Sequence, residues 1–167
     1  MEVKKAIDFE VIKALILMFI PLVLVIANGG EIRPSISNFV YYTESTFKVL
    51  LCTTALLYFQ DGYTDRRRWY NMLLALCLVG VAYTPHLQVP FWHYLFALNF
   101  FIGNDIVMIW YSSKKQRIYK IIASLSTIPV YFLALKYDAE NVFFWAESYM
   151  SVKLSLHLVG EKIGKID

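Results

Sequence analysis

Five ionisable side chains stand inside apolar stretches of this sequence: Lys48, Asp105, Glu147, Lys153 and His157. His93 stands near the start of the stretch that holds Asp105. Burying such groups in a membrane costs about 2.5–3.5 kcal/mol each on insertion scales, so each needs a partner or a role. Lys153 and His157 are four residues apart, on one face of a helix. Asp105 and His157 each lie fifteen residues into their stretches, roughly 22 Å from the outer end at 1.5 Å per residue. Asp105, Lys153 and His157 are therefore expected to form one buried polar cluster, either a static ion pair or a proton relay. Glu147 falls about 8 Å below the outer end of its helix. With Lys48, His93, Tyr41 and Tyr42 it is expected to line an outward-facing pocket for a lipid or small solute.

Other chemistries find little support. The sequence has no Gly-x-Ser-x-Gly, His-Glu-x-x-His, P-loop or Cys-x-x-Cys pattern. Its three histidines are His86, His93 and His157. The first two are expected at one face and the third near the other, so they do not converge on one ion. A two-histidine outer site from His86 and His93 with Glu44 or Glu147 is the form a lipid hydrolase would take here. Cys52 and Cys77 read as small apolar residues. No catalytic residue, metal or cofactor is assigned.

The elements that must position these groups follow from composition. Of 167 residues, 58% are hydrophobic and 17% charged, with a mean hydropathy of +0.50. Soluble domains run nearer ~45–50% apolar and ~25% charged. The excess forms blocks separated by short charged loops, which predicts a single all-α domain over 1–167, a bundle of six transmembrane helices. The spans are about 11–27, 46–60, 69–84, 90–111, 118–137 and 142–160. The first is read as a retained span, since Glu2, Asp8 and Glu10 offset Lys4, Lys5 and Lys13 where a leader would be basic.

Lysine and arginine set the orientation. One side carries Lys4, Lys5, Arg66, Arg67, Arg68, Lys114, Lys115, Arg117, Lys120, Lys162 and Lys165; the other carries Arg33 and Lys136. Both termini are therefore expected to be cytoplasmic, in a bacterial inner membrane. The net charge of +3 reflects this topology and not a nucleic-acid partner. The 61–68 and 112–117 loops, with Arg66–Arg68 and Lys114–Arg117, are expected to meet anionic lipid.

The outer loop 28–45 is the most informative connection. Asn28-Gly29-Gly30 ends the first helix. Pro34 predicts extended chain through Arg33-Pro34-Ser35-Ile36-Ser37. Phe39-Val40-Tyr41-Tyr42 is too apolar for a solvated loop and is expected to cap the bundle. Pro34-Ser35-Ile36-Ser37, then Tyr41-Tyr42-Thr43, Asp61-Gly62-Tyr63 with Asp65, and Phe144-Trp145-Ala146-Glu147 resemble motifs of a group of small bacterial multi-pass membrane proteins. That group has a P-x-I-S-x-Y-Y outer loop and is loosely similar to the six-helix DRAM/Frag-type families. Here three residues, Asn38-Phe39-Val40, separate the serine from the tyrosine pair. The resemblance implies five to six helices and no activity.

The favoured function is a non-enzymatic membrane protein binding a lipid or small solute. The alternatives are a proton-coupled transporter or channel-like protein, a membrane-embedded subunit or regulator, and an intramembrane lipid hydrolase. Gly80 and Gly103 permit close helix contact within the chain, with a membrane-protein partner, or in a homo-oligomer.

Overall fold

The computed structural model describes residues 9–112 and 114–163. Among these the chain is all-helical, with no strand. The helices are α1 (Phe9–Ala27), α2 (Glu44–Thr64), α3 (Tyr70–Tyr83), α4 (Pro90–Trp110), α5 (Lys114–Leu125), α6 (Thr127–Tyr137) and α7 (Val142–Ile163). Short 3-10 turns cover Ile36–Tyr41, Arg66–Arg68 and Ala139–Asn141.

The expected helices are present, with three differences. The helix expected at 46–60 runs on to Thr64, so Asp61 lies in its last turn and not in a loop. The helix expected at 118–137 begins at Lys114 and is broken between Leu125 and Thr127. Pro129 explains the break, because it has no N–H to donate to the Leu125 carbonyl. Third, the outer loop is extended only to Ser35; Ile36 and Ser37 already belong to a 3-10 turn, which Ser35 caps by accepting from the Asn38 amide.

The glycine pair works as the sequence suggests. Gly29 and Gly30 have φ of +71° and +90°, and the Gly30 amide donates to the Val25 carbonyl at 2.9 Å, closing α1.

In the bundle α1 packs on α2 and α7, α3 on α2 and α4, and α7 also on α4 and α6. Leu17 and Leu24 of α1, Leu51 and Tyr58 of α2, Leu78 of α3, Phe100 of α4 and Leu154 of α7 build the core. Phe39 and Val40 of the outer loop join it, so this loop is part of the interior and not a solvated connection. The α5–α6 pair stays at the edge and contributes no residue to that core.

Helix faces turned away from the core are also apolar: Leu15, Phe19 and Leu22 on α1, Leu73 and Leu76 on α3, Leu98, Ile102 and Ile106 on α4 are exposed. One helical run, Gln116–Tyr137, is long and apolar enough to cross a membrane by length and composition. Val11–Ala27 and Tyr70–Tyr83 are shorter apolar helices.

Gly80 and Gly103 serve contacts within this chain. A Cβ on Gly80 would lie 2.4 Å from the Phe96 ring of α4, and one on Gly103 would lie 3.0 Å from Leu74 of α3. Gly80→Ala is expected to push α4 off α3 and lower unfolding stability by about 1–3 kcal/mol. A denaturation curve superimposable on wild type would show that Phe96 yields without loss.

Candidate functional site

The outer loop is held down by groups from two helices, α7 and α4. The Pro34 carbonyl accepts from the Phe144 amide of α7 at 2.9 Å. Two residues on, the Ile36 amide donates to the Glu147 carboxylate at 2.6 Å. From α4, His93 reaches the same turn: its Nε2 lies 2.9 Å from Ser37 Oγ and its Nδ1 2.6 Å from the Thr84 carbonyl oxygen. A carbonyl only accepts, so Nδ1 carries the proton. Nε2 of the neutral ring is then the acceptor, and the Ser37 hydroxyl donates to it. The Phe39 ring also packs on Phe144, with centroids 6.1 Å apart.

Under this loop lies a cavity of about 50 Å³. Ser37, Glu147 and Ser151 supply its polar wall; Leu17, Ile20, Phe47, Leu51, Leu78 and Phe100 are among its apolar lining. Of the five residues expected to share a pocket, only Glu147 lines this cavity. His93 is buried behind Ser37. Tyr41 instead accepts from the Leu87 amide at 2.8 Å and packs edge-on to His86. Tyr42 is exposed under the Arg33 guanidinium, 3.6 Å from its ring centroid. Lys48 pairs with Glu44 on its own helix and not with Glu147. The five come apart because Tyr41 ends the 3-10 turn and Lys48 turns toward the surface. The cavity is also far below the roughly 300–1,000 Å³ of small-molecule pockets, which leaves no room for a lipid.

His86 and His93 do come together, with centroids 5.5 Å apart. Burial pushes the His86 imidazole below its ordinary pKa, which favours its neutral form. Among the described residues no three His, Cys, Asp or Glu side chains converge as a metal-binding set. At the α6–α7 corner, hydrogen bonds from Trp145 Nε1 and Asn141 hold the Asp138 carboxyl below the usual carboxylate range.

The second expected cluster forms in part as drawn. Lys153 Nζ lies 3.0 Å from Asp105 Oδ2, across α7 and α4. It also donates to Thr127 Oγ1 at 3.3 Å, at the break between α5 and α6. His157 is half-buried one turn further along α7.

A third cluster was not foreseen from the sequence. Lys13, expected only to balance charge at the start of the chain, is 1% exposed and pairs with Asp61 at 2.9 Å. Its ammonium lies 4.3 Å from the Tyr58 ring centroid. Asp61 also accepts from Arg68 at 3.3 Å and Asn71 at 2.7 Å, and Tyr58 donates to Asn104 at 3.0 Å. The only local signal was an acidic residue, Asp61, at the end of an apolar run. Arg66 and Arg67 are exposed beside it. Lys120 is buried and reaches the Met108 carbonyl at 3.5 Å, so it is no loop charge. Lys4, Lys5 and Lys165, and the side chains of Lys114, Lys115 and Lys162, lie outside the described residues.

The model of a family described as a family of unknown function, DUF7103, matches residues 19–162, which takes in Ser37, His93 and Glu147 and the Asp105–Lys153 pair. No curated protein and no solved structure matches the chain.

Proposed function

We propose, from the premise that this chain belongs to the DUF7103 family, a multi-pass membrane protein that holds a small polar solute in the small cavity beneath its outer loop. The six spans are α1, α2, α3, α4, the broken pair α5–α6, and α7, with both termini on the basic, cytoplasmic side of an inner membrane. Support comes from helices that are apolar on their outer faces as well as their inner ones. In water that would be an unusually large exposed apolar surface; in lipid it is the solvated face. Exposed Tyr63, Trp69, Tyr83, Trp92, Trp110 and Tyr137 near helix ends suit the interfaces. Anionic lipid then meets Arg66 and Arg67.

The observation that carries the binding reading is the shared cavity of Glu147, Ser37 and Ser151 within apolar walls. Its size suits water or a group of a few heavy atoms, which narrows the ligand class from lipid to small solute.

The test uses single cysteines in a chain with Cys52 and Cys77 replaced by serine. A cysteine at Gln88 is expected to react with an impermeant maleimide on intact cells, and one at Arg67 only after permeabilisation. A cysteine at Ser151 is expected to react with methyl methanethiosulfonate but not with a bulky charged analogue. Equal labelling at Gln88 and Arg67 would sink the topology; a silent Ser151 cysteine would sink the solute site.

A second reading rests on a separate observation. Lys153, Asp105 and Thr127 meet where α5 gives way to α6, and broken spans are where transporters place ions and protons. A proton-coupled carrier would use this pair.

A further inference from the structure

We infer that Ser37 and His93 form a nucleophile–base pair that cleaves esters of short acyl groups at the outer face, an inference that rests on the cavity reading above. The geometry has the three parts such a pair needs. The Ser37 hydroxyl donates to His93 Nε2 at 2.9 Å, within reach for proton transfer. The Thr84 carbonyl, 2.6 Å from Nδ1, fixes the tautomer that leaves Nε2 basic. Ser37 is a lining residue of the cavity, so the pair stands at its wall. A cavity of about 50 Å³ fits an acetyl-sized group and no long chain. The Ile36 amide already holds one carboxylate, that of Glu147, which lines the same cavity as Ser37.

The reaction needs no cofactor. Ser37 Oγ attacks the acyl carbonyl carbon as its proton passes to His93 Nε2. The ester C–O bond breaks, and the same proton passes to the leaving alkoxide to give the alcohol. Water, deprotonated by Nε2, then attacks the acyl-serine. It releases the carboxylic acid and returns the proton to Ser37.

The experiment treats the full chain in mild detergent with a short-chain alkyl fluorophosphonate, followed by peptide mass spectrometry. A phosphonyl adduct is expected on Ser37 and absent from Ser37→Ala. His93→Asn places an amide N–H where Nδ1 stands, so it keeps a donor for Thr84 and removes the base. It is expected to slow adduct formation by about 100-fold or more, while its thermal unfolding stays close to wild type. No adduct on Ser37 in folded protein overturns the inference, as does an adduct whose rate ignores His93→Asn. If the Ser151 cysteine is modified while Ser37 is not, the ester chemistry falls and the solute site stands. If neither reacts, both fall.

Discussion

Asp61→Asn is expected to lower unfolding stability by about 3–5 kcal/mol, the penalty for stripping a buried ion pair of one partner. Lys13 is 1% exposed and Asp61 12%, so the ammonium left behind cannot regain water without opening the α1–α2 contact. The Tyr58 ring 4.3 Å away softens the loss, since a cation over a ring retains about 0.5–2 kcal/mol. Arg68 loses less, because it is a quarter exposed and also faces Asp65 at 3.5 Å. The double variant Lys13→Met with Asp61→Asn removes both charges and keeps an amide for Asn71. It is expected to recover most of the stability, because a neutral replacement of similar size leaves nothing charged to desolvate. Unfolding in mixed detergent micelles compares both variants with wild type. Should Asp61→Asn unfold with wild type, the pair holds no more than a surface contact does, about 0–1 kcal/mol.

Asp105→Asn is the second large effect, toward the lower end of about 3–5 kcal/mol. Lys153 is 6% exposed but Asp105 is 26% exposed, so water already reaches part of this pair. The variant also separates a structural pair from a working one. Thr127 keeps one contact to Lys153, and His157 lies one turn away on α7. If the pair only joins α4 to α7, Lys153→Met with Asp105→Asn restores stability and changes nothing else. If it carries protons, proteoliposomes with a pH-sensitive dye show wild-type acidification under an imposed potential. The restored double variant then shows none. Equal traces from both would reject the carrier reading.

The local features were legible because they are written in neighbouring residues. Apolar runs broken by short charged loops mark the helices, and Gly29-Gly30 marks the end of α1 through positive φ. The bounds failed where tertiary contacts extend or break a helix. Asp61 reads as loop by charge, yet α2 continues through it because Lys13, Arg68 and Asn71 receive its carboxylate. Pro129 was visible in the fifth apolar run, but its break gained meaning only when Lys153 was found against Thr127.

The polar partners were only partly legible. Asp105 and Lys153 meet as their depths suggested, 48 residues apart. Depth is one coordinate, and a second, the rotation of each helix, decides which side chains face each other. That is why Glu147, at a depth suited to Lys48, instead receives the Ile36 amide 111 residues away. It is also why His93 turns inward to Ser37. Lys13 gave no sign of its burial, since a lysine near a helix start ordinarily snorkels to water.

The sequence by itself determined an all-helical chain and the approximate positions of its helices. These depend on residue type and spacing within a few turns. Only the tertiary structure decided that Ser37 and Glu147 line one small cavity with His93 behind Ser37, and that Lys13 belongs to Asp61. Those pairings depend on which helices are neighbours and how far each is rotated. Contacts as specific as Gly80 against Phe96 set that rotation, and no periodicity along one helix encodes the face of another.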